Sequence, residues 1–397
     1  MPDAVIIAAC RTPIGTAGKG TLAGTDAFDL ADVVVRESLR RSGIEPDAFD
    51  DVILGESLYG GGDIARYAAV RAGLVNAPGV SVNRWCASGL AAISMAAAEV
   101  SSGMSEVVLA GGVNSSSTGP RVLRQATEEA AQEEVQWSRW LSPSHPDTAD
   151  APNMDMSITV GWNAAVAAGV SREEMDAWAL RSHRMAIAAI DSGSFAEEIV
   201  PVPVVNDDRS VTPFEVDEHP RRTTTADKLA ALTPLHPEIP GFSITAGNAS
   251  GVNDGAAAVV VASREMAERR GRAPLAIIRA WASVGVEPRS TGMANTVVIP
   301  KALKKAGLDL SDVDLFEINE AFASVVVGTI KQLDLDPDKV NVVGSGCSLG
   351  HPIAASGARM ITSLIYELRR RGGGTGVAAM CAGGGMGSAI VIEVPAP

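Results

Sequence analysis

Hydrophobic positions along this chain fall into two spacings that take turns. Near-continuous runs rich in Val, Ile and Ala, such as AVIIAA from Ala4, DDVILGES from Asp50 and EVVLAGGV from Glu106, have the pattern of buried strands. Between them, AFDLADVVVRESLRRSG from Ala27 places its apolar residues at helical spacing. It ends on two arginines and Gly43, the expected chemistry of a helix C-terminus. The same succession continues through SVNRWCASGLAAI, Ser81–Ile93, where a strand-like run gives way to small, helix-forming residues. Strand and helix alternating over most of a chain predict an α/β fold.

The pattern also repeats. LRRSGIEPDAFDDVILGE from Leu39 aligns without a gap on LKKAGLDLSDVDLFEINE from Leu303, CASGLAAI from Cys86 aligns on AASGARMI from Ala354, and LAGG from Leu109 aligns on CAGG from Cys381. The three displacements are 264, 268 and 272 positions, in one order and drifting by a few residues. Solenoid repeats are shorter and more numerous, so this is one duplicated α/β unit. The region from Thr118 to about Ser250 interrupts it. That region holds an acidic stretch, QATEEAAQEEVQ, expected to be helical, the Pro-rich LSPSHPDTADAPN, the helical SREEMDAWALRSHRMAIAAIDSG, and a turn-rich run with Arg221, Arg222 and Lys228. Its composition is that of an inserted segment. A functional loop region and a structural or assembly surface are both open readings.

Composition narrows the class. A chain of 397 residues with 46% hydrophobic content, 40 glycines and 4% aromatics describes two compact units packed through Ala, Gly and Val. A formal charge of −14 argues against a nucleic-acid partner and requires any anionic ligand to be met by a local basic patch. No apolar run reaches the roughly 18–20 residues that span a bilayer, and MPDAVIIAACRTPIG is not a basic-then-apolar signal, so the expected location is the cytoplasm. The four cysteines, Cys10, Cys86, Cys347 and Cys381, lack paired metal-type spacing, so free thiols are expected, with no metal and no permanently bound cofactor.

Four places carry candidate chemistry. Cys86 stands where a helix is expected to begin, and a thiol there faces backbone N–H groups and the positive helix end, both of which favour thiolate. Taken alone, the commoner reading is a small buried filler. His351, in LGHPIAASGAR, is held on a tight turn before a helix and is a candidate base; His145, His183, His219 and His236 read as surface or structural residues. Cys381 ends a strand that runs into Gly383, Gly384, Gly385 and Gly387, a turn able to bring backbone N–H groups close to a ligand or simply to join two strands. Asn319, in EINEAFA, either orients a neighbour or caps a helix.

Together VNRWCASGL, GNASGVNDGAA, NEAFA, GHPIAASGAR and CAGGGMG resemble the thiolase family, in family order and over essentially the whole chain. The resemblance implies a thiolase fold: two duplicated βαβαβ-type halves forming a five-layer αβαβα core with an inserted loop domain. The halves are expected at 1–117, completed by about 251–272, and at 273–397, with the loop domain at 118–250. The resemblance further implies an acyltransferase moving an acyl group between coenzyme A and a cysteine, with acetyl-CoA or another acyl-CoA as substrate and a homo-oligomeric assembly. By it Cys86 is the nucleophile, His351 its activating base and Cys381 the second acid/base. Asn319 holds a water of one oxyanion hole, and the N–H groups of Cys86 and Gly383 form the other. Ser250, with neighbouring Ala249, meets the pantetheine arm, and Arg221 meets the nucleotide end. The chain departs from the family at Val343, Ser345, Gly346, Cys347 and Ser348 before His351, at Trp85 and at Trp162. These positions are expected to shape the acyl pocket, which points to a substrate other than acetoacetyl-CoA. Cys347 is open to two readings, a site or regulatory thiol and a buried filler.

Overall fold

The computed structural model describes residues 3–57, 62–125, 137–206 and 208–396. Its first half runs β1 (Ala4–Arg11), α1 (Ala27–Ser42), β2 (Asp51–Gly55), α2 (Ile64–Arg71), β3 (Val80–Val82), α3 (Ser88–Ser102) and β4 (Val107–Asn114). After the insertion, whose longest helix is α4 (Arg172–Asp191), β5 (Asn253–Ser263) completes that half. The second half follows as β6 (Ala276–Gly285), α5 (Asn295–Ala306), β7 (Leu315–Ile318), α6 (Ala323–Leu333), α7 (Ser356–Arg370), β8 (Gly374–Ala382) and β9 (Met386–Val394).

The strands order as β3-β2-β4-β5-β1 in one half and β7-β8-β9-β6 in the other. Within each half the outer strands are parallel and the last two additions antiparallel. The halves join edge to edge only where Val5 and Ile6 of β1 meet Ile277 and Ala276 of β6. The counterpart of β3 in the second half shrinks to one parallel bridge between Phe316 and Val340.

Each strand is apolar on both faces, and successive residues of a strand point to opposite sides. Ile6, Val108, Val259 and Ile390 face a central core with Leu90 and Ile93 of α3 and Ile361 and Ile365 of α7. Their neighbours Val5, Val107 and Val260 face an outer core under α1 and α2. Val377 and Val391 face a third core under α5 and α6. The layers are therefore helix, sheet, helix, sheet, helix, with α3 and α7 sandwiched in the middle. A Cβ on Gly89 of α3 would lie 2.8 Å from the Ala354 carbonyl, and one on Gly357 of α7 would lie 2.6 Å from the Leu90 nitrogen, so these glycines set how closely the central helices approach.

The duplication is visible element by element. Gly43 and Gly307 both close their helices in the left-handed conformation (φ 59° and 71°), each followed by a 3₁₀ turn and then a strand. Helices α3 and α7 start and end 268 positions apart. The third block is corrected by the sheet. Asp51 pairs with Val108 and its counterpart Leu315 pairs with Gly376, so β4 and β8 correspond at 268 positions and not at 272. Aligning LAGG on CAGG slides the strands by four residues. The strands bracket the insertion at residues 115–252, slightly wider than the expected 118–250. Apart from Gln125, which ends a short strand, the expected acidic helix lies outside the described residues.

One consequence positions the site. Between β8 and β9 the chain turns through Gly383–Gly385, whereas between the corresponding β4 and β5 it inserts the long segment. The glycine turn and the insertion therefore leave equivalent strand ends.

Candidate active site

Cys86 lies in the turn from β3 to α3, two residues before the first helical residue. Trp85 before it has φ 48°, a strained value for a bulky side chain. The turn is pinned around it: Asn83 Oδ1 accepts from the Trp85 nitrogen (2.8 Å), and the hydroxyls of Ser88 and Ser57 donate to the Trp85 carbonyl (2.6 and 2.9 Å). Burial pushes the Cys86 thiol up to about 11, against the lowering effect of the backbone N–H groups of Gly383 and of Cys86 itself. The expected N–H environment is thus present, but it does not make a resting thiolate, because desolvation outweighs it.

A neutral imidazole, His351, lines the same cavity as Cys86. Its Nδ1 lies 2.6 Å from Ser356 Oγ, and that hydroxyl donates its one proton to the Pro352 carbonyl (2.9 Å). Ser356 can therefore only accept from Nδ1–H, which leaves Nε2 unprotonated and an acceptor. The Asn319 amide nitrogen lies 3.5 Å from Nε2. Burial, assisted by the charge of Arg359, lowers His351 to about 4, so the imidazole is neutral. Asn253 Oδ1 accepts from the His351 backbone nitrogen (3.0 Å), and the Asn253 amide donates to the Gly15 carbonyl (3.0 Å).

Cys381 ends β8, buried; burial first, then the neighbouring Cys86, raise its thiol to about 12. Gly384 and Gly385 follow at φ 86° and 76°, and the hydroxyl of Thr291 accepts from the Gly385 nitrogen (3.0 Å). Cys86, His351, Cys381, Gly383 and Ser250 all lie on the wall of one cavity of about 430 Å³. A thiol, a neutral imidazole with an unprotonated Nε2, a second thiol and backbone N–H groups converge on one space.

The family model described as "Thiolase, N-terminal domain" matches residues 4–265, and "Thiolase, C-terminal domain" matches residues 272–394. The chain belongs to the thiolase family. It is 40% identical to the 3-ketoacyl-CoA thiolase of Bacillus subtilis, over 99% of this chain and all of that one. It is likewise 40% identical to the acetyl-CoA acetyltransferase of Chromobacterium violaceum over 99% of this chain and 100% of the relative. The solved structure of human mitochondrial 3-ketoacyl-CoA thiolase superposes with a TM-score of 0.91 at 37% identity, covering 100% and 99% of the two chains.

In this thiolase the remaining expected positions divide. Asn319 is fully buried beside His351, and its Oδ1 has no hydrogen-bond partner among the described residues. Ser250 donates its backbone nitrogen to the Ala321 carbonyl (2.9 Å), while Ala249 pairs with Phe322 and is not on the cavity wall. Arg221 is exposed and also off the wall. It lies two residues beyond His219, whose ring packs against the cavity residue Gly251. Of the expected basic patch, Arg222 pairs with Asp191 and Lys228 bonds the Thr223 carbonyl. Arg221 alone of the three makes no side-chain ion pair or hydrogen bond among the described residues.

Two expectations are corrected. The row Val343–Ser348 does not line the cavity. It is buried behind it, where Ser345 Oγ donates to Glu317, Cys347 N donates to Glu320 and Ser348 meets Ser182. Cys347 is a buried filler there, its thiol pushed well up by burial. Trp162 packs on Phe242, ring centroids 5.2 Å apart, away from the cavity, whereas Trp85 does line it. His145 takes the structural one of its two expected readings, buried and hydrogen-bonded to Ser144 and to the Ala151 carbonyl. The apolar wall comes instead from Trp140, Leu141, Met154 and Met156 of the insertion, with Phe322 and Ile353. Phe322 and Asn253 sit inside the motifs NEAFA and GVNDGAA, which held the signal for them; the insertion residues follow no comparable pattern.

Proposed function

We propose that this thiolase cleaves 3-oxoacyl-CoA esters with coenzyme A, and runs the reverse condensation when acetyl-CoA is in excess, through an acyl-Cys86 intermediate. The observation that carries the assignment of roles is the convergence of Cys86, His351, Cys381 and the Gly383 N–H on one cavity. His351 Nε2 takes the Cys86 proton as the sulfur attacks the 3-oxo carbonyl, since neither partner is charged at rest. The carbonyl oxygen gains negative charge against the N–H groups of Cys86 and Gly383. The carbon–carbon bond then breaks. The two-carbon fragment leaves as an enolate, its oxygen stabilised beside His351 and the Asn319 amide, and its carbon takes a proton from Cys381. Incoming coenzyme A, deprotonated by Cys381, attacks the acyl-Cys86 carbonyl, and the Cys86 sulfur leaves and is reprotonated by His351.

Coenzyme A and acyl-CoA enter this scheme as substrates, with no resident cofactor. For the pantetheine arm the proposed contact is Ser250, which lies on the cavity wall with Ala249 next to it in the chain, and for the phosphates it is the exposed Arg221. The apolar wall of Trp140, Met154, Met156 and Phe322 supports an acyl chain longer than acetyl. A ketoacyl-synthase chemistry is not favoured, because Cys381 stands where a second histidine would be needed. No helix among the described residues is long and apolar enough to cross a membrane. A cytoplasmic dimer or tetramer is the proposed state, supported by the exposed edge strand β3 with Val80 41% exposed.

The test is an assay of the purified protein with coenzyme A and a panel of 3-oxoacyl-CoA esters from four carbons upward. Cleavage with a maximum above four carbons, together with an acyl adduct mapped to Cys86, is expected. Tight acyl-CoA binding without turnover across the panel would point to a non-catalytic carrier instead.

A further inference from the structure

The cavity holds one polar arrangement that the reaction scheme leaves unused. Ser144, on the cavity wall, comes from the insertion and is flanked by Pro143 and Pro146. The prolines hold the backbone of Ser142 and His145 away from helical values. Ser144 Oγ lies 2.7 Å from His145 Nδ1, and His145 Nε2 lies 2.9 Å from the Ala151 carbonyl. A carbonyl only accepts, so the single proton of a neutral imidazole is on Nε2, and Nδ1 accepts from the Ser144 hydroxyl. His145 is 8% exposed, so this ring is set into the protein. The loop beyond it is closed by pairing of Thr148 with Ala151 and by Asp147 accepting from the Asn153 nitrogen (2.7 Å).

This clasp borders the glycine turn. A Cβ on Gly383 would stand 3.5 Å from Ser144 Cβ and 3.6 Å from Ser144 Oγ, and a Cβ on Gly384 would stand 2.5 Å from the Ser144 carbonyl. From the other side Thr291 holds the Gly385 nitrogen. The turn that presents the Gly383 N–H to Cys86 is therefore held between the second half and the insertion.

We propose that Ser144, fixed by His145, is a positioning residue for the Gly383 N–H, so that the insertion completes the oxyanion hole used when Cys86 is acylated. In that step a carbon–sulfur bond forms to Cys86 and the bond from the carbonyl carbon to the leaving group breaks. With an acyl-CoA donor the leaving group is the coenzyme thiolate, which takes its proton from Cys381 while His351 keeps the one from Cys86, the reverse of the step in which coenzyme A attacks the acyl-enzyme. Ser144 exchanges no atoms or electrons. The inference rests on the proposed acyl-Cys86 chemistry and separates the two half-reactions, because in that scheme the enolate oxygen is stabilised at His351 and Asn319 and not at the Gly383 N–H.

The experiment compares wild type, Ser144→Ala, His145→Ala and His145→Asn. One readout is the rate of acyl-Cys86 formation from acyl-CoA, followed by mass; the other is deuterium exchange at the acetyl-CoA methyl on pre-acetylated enzyme. Removing a direct oxyanion donor costs about 10²- to 10³-fold. Loss of its support is expected to slow acylation by roughly ten- to a hundredfold, with substrate affinity and methyl exchange within about twofold. His145→Ala should match Ser144→Ala, and His145→Asn, which keeps an acceptor near the Nδ1 position, should recover most of the rate. Unchanged acylation in Ser144→Ala, or equal slowing of acylation and exchange, would overturn the proposal. Absence of acylation in the wild type would overturn the chemistry on which it rests.

Discussion

At the scale of single residues, the site is built from groups held neutral by burial. Cys86 and Cys381 are raised to about 11 and about 12, and His351 is lowered to about 4. A histidine whose folded value lies below the ordinary 6.5 keeps its base form at every pH above that lowered value and loses it only below. The acid limb of kcat/KM for acyl transfer is therefore expected to fall near pH 4, leaving the profile flat from about pH 5.5 through 8. An acid limb centred near 6.5 would show that His351 is not the group whose deprotonation the reaction needs. Residue identity was legible in the sequence where local chemistry is unusual for its surroundings: a cysteine at a strand-to-helix turn, a histidine between Gly and Pro. Where the question was which way a side chain faces, the sequence was silent. The Val343–Ser348 row stands close to His351 in the chain, yet it is directed into packing behind the cavity, and Trp162 of the insertion packs on Phe242 and not on the cavity wall. His145 lies in a proline-rich loop, but the carbonyl that draws its ring inward belongs to Ala151, six residues away.

Elements were more readable than residues because duplication tests each alignment against the other copy. Leu39–Glu56 and Leu303–Glu320 agree down to the glycine cap, since a left-handed cap before a 3₁₀ turn constrains the chain at each step. The slip at β4 and β8 has a physical origin. Both strands end in Ala-Gly-Gly-like runs, and small residues carry little register information, while the true register is set by pairing with β2 and β7. Small residues matter for a different reason between α3 and α7. A Cβ on Gly357 would stand 2.6 Å from the backbone nitrogen and 2.8 Å from Cγ of Leu90, and backbone on the facing helix cannot rotate aside. Gly357→Ala is therefore expected to destabilise by about 1–3 kcal/mol despite its better helix propensity. Gly24→Ala, with nothing within 4 Å, should change stability by less than about 0.5 kcal/mol. Denaturant midpoints of the two variants decide the matter, and equal midpoints would mean that the central helices yield without cost.

At the scale of the molecule, the two sheets pair through two residue pairs at one edge and pack on a shared central core, and a buried cation adds a further tie. Arg11 of β1 is fully buried. It donates to Glu198 (2.6 Å) and to both oxygens of Asp217 (2.8 and 2.9 Å), two acids of the insertion. Ser363 of α7, in the second half, donates to the same Glu198 oxygen (3.0 Å). First half, insertion and second half thus meet at one guanidinium, on β1, the strand that also carries the edge contact between the sheets. Removing the cation leaves two buried carboxylates without a counter-charge, and breaking a buried pair in this way costs about 3–5 kcal/mol. Arg11→Met is expected to lose that much at pH 8, whereas Arg11→Met with Glu198→Gln and Asp217→Asn should lose less, because no charge is then stranded. Burial already pushes Glu198 above its ordinary range with Arg11 present. Without Arg11 its folded value rises further, so the penalty is full well above that value and shrinks as falling pH protonates the folded carboxyl. Denaturant unfolding of Arg11→Met at pH 8 and pH 5 measures this directly. A smaller deficit relative to wild type at pH 5 is the expected result, and a deficit independent of pH would place the loss in packing against Phe195, over whose ring the guanidinium lies at 4.8 Å, and not in the stranded charge.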